Sequence, residues 1–115
     1  MSVELYTIKA KIRTIPDFPK PGIQFRDITT LLLDGEGWEL TVNELVATCA
    51  GKQIDKVCGI ESRGFIVAAA LADRLHCGMV LARKKGKLPG PVERIEYDLE
   101  YGSDALEIHK DAIKP

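Results

Sequence analysis

The sequence predicts an α/β fold built on a parallel sheet with flanking helices. Three observations carry this. Two short apolar runs, Lys56–Ile60 and Met79–Ala82, have the length of buried strands. The segment between them, Gly64 to Leu75, is apolar over a wide helical arc through Phe65, Ala68, Ala69, Leu71, Ala72 and Leu75. Helix, strand, helix, strand in that order is the signature of a parallel crossover.

The elements follow in order. Leu5, Ile8 and Ile12 recur at helical spacing and predict an amphipathic N-terminal helix. Prolines at 16, 19 and 21 then break it, and Ile15 to Gly22 is expected to be an extended, fairly rigid loop. Trp38, Val42, Leu45, Val46 and Cys49 define one face of a second helix. The crossover comes next. Lys84 to Pro91 is a basic loop holding glycines and prolines. Arg94 to Glu100 and Ala105 to His109 alternate as strands do, and predict a hairpin or two extended arms.

Composition narrows the function classes. The chain has 115 residues, 45% hydrophobic and 29% charged, with a net charge of -1. That is a globular composition of one domain's length. The basic excess typical of nucleic-acid binders is missing, and no apolar run is long enough to span a bilayer. Cys49, Cys58 and Cys77 are odd in number and show no C-x-x-C spacing. Each lies in an apolar stretch, so they are expected to be buried free thiols, which suits the cytosol. The N-terminal ten residues carry Glu4 and two lysines and do not read as a signal peptide.

Four segments carry candidate chemistry. Glu61-Ser62-Arg63-Gly64 joins a strand to a helix, where backbone N–H groups and an arginine favour phosphate. A capping serine and a solvated arginine explain that tetrapeptide equally well. Arg83 to Lys87 places four cations within five positions, as a lid over an anionic substrate would. A solvated charged loop has the same composition. Phe25, flanked by Gln24 and Arg26, follows the proline-rich segment and is suited to stack on a flat heterocycle or to fill a core. Glu96, Asp98 and Glu100 would share one face of a strand beside Tyr97 and Tyr101, and a carboxylate in a closed, dry site is a candidate proton carrier.

Together these segments resemble the adenine phosphoribosyltransferase family. The resemblance runs through Pro16-Asp17-Phe18-Pro19-Lys20-Pro21-Gly22-Ile23-Gln24-Phe25-Arg26-Asp27-Ile28-Thr29, Glu61-Ser62-Arg63-Gly64-Phe65, Arg83-Lys84-Lys85-Gly86-Lys87-Leu88-Pro89-Gly90, Leu99-Glu100-Tyr101-Gly102 and Leu106 to Ala112. It implies a type I phosphoribosyltransferase-like sheet with an N-terminal base-binding segment. It also implies conversion of adenine and phosphoribosyl pyrophosphate to AMP and pyrophosphate, with Mg²⁺ held mainly by substrate phosphates. Phe25 would stack on adenine, and the backbones of Gln24 and Arg26 would read its edge. Glu61, Ser62 and Arg63 would form the pyrophosphate loop, with a non-proline cis peptide between Glu61 and Ser62. Arg83 and Lys87 would also reach the pyrophosphate. Glu100 would be the catalytic acid/base, and Tyr101 would help close the lid. Residues 1–35 would be the base-binding segment, 36–83 the sheet unit, and 84–110 the mobile lid and arms. A cytoplasmic homodimer, with neither nucleic acid nor membrane as partner, is the implied setting.

The family continues into a further strand, two adjacent aspartates and a Thr-Gly-Gly-Thr loop that grips the ribose phosphate. This sequence contains neither an Asp-Asp nor a Gly-Gly pair. The expectation is a domain incomplete at its C-terminus and lacking a central strand, inactive alone and marginally stable. The other readings are a non-catalytic purine or nucleotide binder on the same fold, and a fragment that self-associates through its sheet edge.

Overall fold

The computed structural model describes residues 2–115. It divides into two compact units, Met1–Ala50 and Gly51–Pro115.

The first unit begins with helix α1, Val3–Ala10, whose N-terminus is capped by the Ser2 hydroxyl accepting from the Leu5 N–H at 3.1 Å. The helix packs on α3, Gly35–Thr48, but buries none of its own residues. It stops short of Ile12, because the β-branched stretch Ile12, Thr14, Ile15 favours extended backbone. That stretch enters strand β1, Arg13–Pro16, which pairs antiparallel with β2, Gln24–Asp27, from Arg13↔Asp27 to Pro16↔Gln24.

The predicted extended loop is therefore a strand end followed by a folded connection. Asp17 sits at φ 57° and the Phe18–Pro19 peptide is cis. The Asp17 Oδ1 accepts from the Gly22 N–H at 2.9 Å, and the Phe18 N–H donates to the Ile23 carbonyl at 3.2 Å. Pro16 is tolerated because it closes a short strand rather than interrupting a central one.

A one-turn helix absent from the sequence reading, α2 (Thr29–Leu32), contributes the buried Leu31. Asp34 caps α3, its Oδ1 accepting from the Gly37 N–H at 3.0 Å. It also holds Lys11 in an ion pair. Of the five residues on the predicted α3 face, Val42 is buried and the others are half-buried.

The second unit is the sheet. Strand β3, Lys56–Ile60, pairs parallel with β4, Gly78–Lys84, and helix α4, Arg63–Leu75, makes the crossover. Strands β5, Val92–Leu99, and β6, Gly102–His109, form a hairpin in register from Val92↔His109 to Leu99↔Gly102. The strand order is β3-β4-β6-β5. Strand β6 runs antiparallel to β4 and meets it at two register pairs, Arg83↔Glu107 and Lys84↔Leu106. The sheet is thus mixed, not parallel throughout. A hairpin returns its second strand against its first, and here that second strand docks on β4.

Helix α4 lies on the sheet at Gly59. A Cβ there would stand 2.7 Å from both the Ala68 Cβ and the Gly64 carbonyl oxygen. At Gly64 an added Cβ would find only ordinary contacts, the nearest at 3.7 Å. Gly59, which the sequence reading passed over, is the glycine this packing demands.

The buried apolar residues of the unit are small: Ala68, Ala72, Val80, Ala82 and Ala105. A hollow of about 360 Å³ is lined by Cys58, Ile60, Ala82, Ile95, Leu106 and Ile108 together with the stems of Glu93 and Arg94. Ile60 and Ile95 are exposed. The expectation of buried thiols fails on the same ground. Cys58 is exposed, and Cys49 and Cys77 are partly so. An apolar sequence neighbourhood does not bury a residue whose side of the strand is open.

Candidate active site

In the sheet unit the chemistry gathers where β3 and β4 end. Strand β3 stops at Ile60 and α4 begins at Arg63, so Glu61 and Ser62 form the turn, and their peptide bond is cis. The Glu61 N–H donates to the Ala82 carbonyl at 3.0 Å, continuing the pairing by one residue. Its carboxylate turns back to β4. Oε1 accepts from the Lys84 N–H at 2.5 Å and lies 3.7 Å from the Arg83 Nε. Ser62 stands at the helix cap but makes no side-chain capping bond. Capping therefore does not account for the serine.

Arg83 runs from β4 over the Phe65 ring, 5.9 Å from its centroid. Its Nε is shielded from solvent and makes no hydrogen bond. The structure thus brings Glu61, Arg83 and the start of α4 together at one sheet end, the place where open α/β sheets take ligands.

The basic segment is more ordered at its base than a free lid would be. Lys84 belongs to β4. Its Nζ donates to Asp104 Oδ2 at 2.6 Å and to the Tyr97 hydroxyl at 2.9 Å. Those bonds, Asp104's first, hold the ammonium well above its ordinary value. The Lys87 N–H donates to the Lys84 carbonyl at 3.2 Å, closing a turn with Gly86 at φ 80°. A left-handed residue at the third position is what such a turn requires. Lys87 is exposed.

Glu100 and Tyr101 make the two-residue turn at the tip of the β5–β6 hairpin. Both are exposed, Tyr101 at 93%. Glu96 and Asp98 lie on β5, but Glu100 lies beyond its end, so the expected shared face stops at Asp98.

In the first unit Gln24, Phe25 and Arg26 occupy β2. Phe25 is half-buried and meets Phe18 edge-on, 5.2 Å between centroids at 77°, an aromatic geometry that is favourable in itself. Arg26 donates through Nη1 to the Thr14 hydroxyl.

Asp27, to which the sequence reading gave no role, anchors this strand. It is 5% exposed and accepts from the Arg13 Nε at 2.5 Å, the Thr29 N–H at 2.9 Å and the Thr29 hydroxyl at 2.8 Å. The Thr29 N–H first, then Arg13 and the Thr29 hydroxyl, hold its carboxyl down at about 2. A depressed folded value means that Asp27 contributes stability above its ordinary value of 3.8 and loses it as pH falls toward about 2. The melting temperature of Asp27→Asn should therefore lie below that of the unaltered protein at pH 7. The gap should narrow between pH 4 and pH 2, and a constant gap across that window would refute the assignment.

Among the described residues, no group of three or more His, Cys, Asp or Glu side chains is placed to hold a metal ion. No helix among them is long and apolar enough to cross a membrane.

Known proteins of the same design exist. The chain is 64% identical over 108 residues to adenine phosphoribosyltransferase of Methylobacillus flagellatus, covering 94% of this chain and 61% of that protein. The crystal structure of the Rhodothermus marinus adenine phosphoribosyltransferase superposes with a TM-score of 0.90 at 51% identity, over 97% of this chain and 64% of that one. The Saccharomyces cerevisiae enzyme, solved in complex with adenine and an imino-altritol bisphosphate, gives 0.89 at 34% identity, over 98% and 66%. No family model matches the chain.

The fold is the α/β fold of the phosphoribosyltransferase class. Within it the chain matches the adenine phosphoribosyltransferase family over nearly its whole length. It spans about three fifths of the length of the curated relative it matches at 64% identity.

Proposed function

We propose that the protein transfers a phosphoribosyl group to adenine, forming AMP and pyrophosphate in purine salvage. The observation that carries this reading is the cluster at the ends of β3 and β4. There Arg83 lies beside the Glu61–Ser62 turn, and a basic turn follows at Lys84–Lys87. The adenine held by the yeast protein of like fold supports the choice of base.

In the reaction a bond forms between an adenine ring nitrogen and the anomeric carbon of the ribose, and the bond from that carbon to the pyrophosphate oxygen breaks. The transition state resembles an oxocarbenium ion, as in glycoside chemistry. Pyrophosphate gathers negative charge as it leaves, so Arg63, Arg83, Lys87 and the N–H groups of the turn act on it. The Glu61 carboxylate already accepts from the Lys84 N–H. Its side chain therefore holds the turn to β4, and the turn's backbone meets the ligand. Phe25 stacks on the base while the backbone groups of Gln24 and Arg26 read its edge. Glu100 takes the proton that the attacking nitrogen sheds, and Tyr101 closes over the ligand.

A Mg²⁺ ion fits this donor set as a passenger on the substrate. Mg²⁺ keeps several waters and commonly takes substrate phosphates as ligands, so the phosphate oxygens of phosphoribosyl pyrophosphate would be its main partners. When bound, it neutralises developing phosphate charge. We propose a cytoplasmic homodimer as the working form.

The test is to supply labelled adenine, phosphoribosyl pyrophosphate and Mg²⁺ to the protein expressed from its full reading frame. AMP and pyrophosphate should appear in equal amounts. Adenine binding without AMP formation would make the protein a purine binder instead.

A further inference from the structure

Glu107 lies on β6 and is 2% exposed, a burial that carboxylates seldom reach without partners. Both of its oxygens are engaged. Oε1 accepts from the backbone N–H of Gly86 at 2.9 Å, and Oε2 from the Arg94 Nε at 2.6 Å. Gly86 is the third residue of the Lys84–Lys87 turn, whose own hydrogen bond runs from the Lys87 N–H to the Lys84 carbonyl. The turn thus leaves the Gly86 N–H to be satisfied from outside. Glu107 satisfies it from another strand. The register pair Arg83↔Glu107 sets the same residue beside the arginine at the end of β4.

We propose that Glu107 is a positioning residue for the pyrophosphate group: by holding the Gly86 N–H it fixes the turn that aims Lys87, next to Arg83. This rests on the functional reading above. The charge arrangement fits the role. A lone carboxylate beneath a basic turn would cancel part of its attraction for an anion. Arg94 takes up that charge, so the turn keeps its positive field. The Gly86 N–H first, then Arg94, keep the Glu107 carboxyl below its ordinary range, so it remains an acceptor at neutral pH.

The experiment measures the affinity of the purified protein for inorganic pyrophosphate in the presence of Mg²⁺, and amide hydrogen exchange at Gly86. Lys87→Ala should weaken pyrophosphate binding. Glu107→Met fills the same space without an acceptor. It should weaken binding about tenfold, the order expected for loss of one charge-assisted hydrogen bond, and should speed exchange at Gly86. Glu107→Gln keeps an acceptor and should recover most of the affinity. In the Lys87→Ala background Glu107→Met should add almost nothing, because both act through one turn. If Glu107→Met does not fold, Glu107→Met/Arg94→Met removes the ion pair as a unit and gives the same reading.

Equal penalties in both backgrounds, or unchanged affinity in Glu107→Met, would overturn this proposal alone. No pyrophosphate binding by the unaltered protein, or unweakened binding by Lys87→Ala, would overturn the functional reading and this proposal with it.

Discussion

Replacing Arg83 by alanine is expected to lower kcat/KM for phosphoribosyl pyrophosphate about a hundredfold, the usual order for one preorganised electrostatic contact in a transition state. Arg83 is placed for such a contact. It lies at the end of β4, packed over Phe65 and 3.7 Å from the Glu61 carboxylate. That carboxylate is itself fixed by the Lys84 N–H. A guanidinium oriented in this way needs little rearrangement to meet an oxyanion. Arg83→Lys should fall between, since a lysine restores the charge but not the planar fork. Steady-state rates at varied phosphoribosyl pyrophosphate, with the melting temperature followed in parallel, decide the matter. A loss of less than threefold in a folded variant would remove Arg83 from the machinery.

The largest effect on stability is expected from Gly59→Ala. The added methyl would stand 2.7 Å from the Ala68 Cβ and 2.7 Å from the Gly64 carbonyl oxygen. One of these is backbone and has no rotamer by which to retreat, so α4 must shift off the sheet. Such overpacking costs about 3 kcal/mol, a fall in Tm of roughly 10 °C at this chain length. Gly59→Ala/Ala68→Gly removes the methyl contact and leaves the carbonyl one, so it should recover part of the loss. Thermal melts of the two variants test both halves of the argument. An unchanged Tm for Gly59→Ala would mean that the helix seat is softer than its geometry implies.

The crossover was legible in the sequence because its signals are local. Val57 to Ile60 is a short apolar run between charged residues. The α4 segment repeats its apolar positions at helical period, and the observed bounds of β3 are those predicted. The hairpin was legible from alternation and from the turn residues near Gly102.

Strand β1 was not legible. Its four residues end in a proline and gain their hydrogen bonds from a partner beyond a loop, so the breaker signal outweighed a tertiary one. The direction of β6 against β4 was equally hidden, since an alternating pattern says which residues share a face but not which neighbour they meet.

The same limit governed the site. Glu61, Ser62, Arg63 and Gly64 were readable as a strand-to-helix turn suited to phosphate, and Arg83 as the start of a basic loop. The partners that hold it, Glu107 for Gly86 and Asp104 for Lys84, lie about twenty residues away in sequence and are found only through register. Asp27 was missed for the opposite reason. It is held by close neighbours, but as one polar residue among several in its stretch it carries no mark of burial.

The β5–β6 hairpin is zipped along eight register pairs, yet it is fastened to the rest of its sheet through two. A seam that short makes the arm a cooperative unit of its own, able to unlatch while β3, α4 and β4 stay folded. Around the seam lie the Lys84–Asp104 ion pair, which crosses between β4 and β6, and the bond from Glu107 to Gly86. The latch thus pairs one part-exposed ion pair with one buried carboxylate bond, so added electrolyte weakens the first and leaves the second to hold the arm.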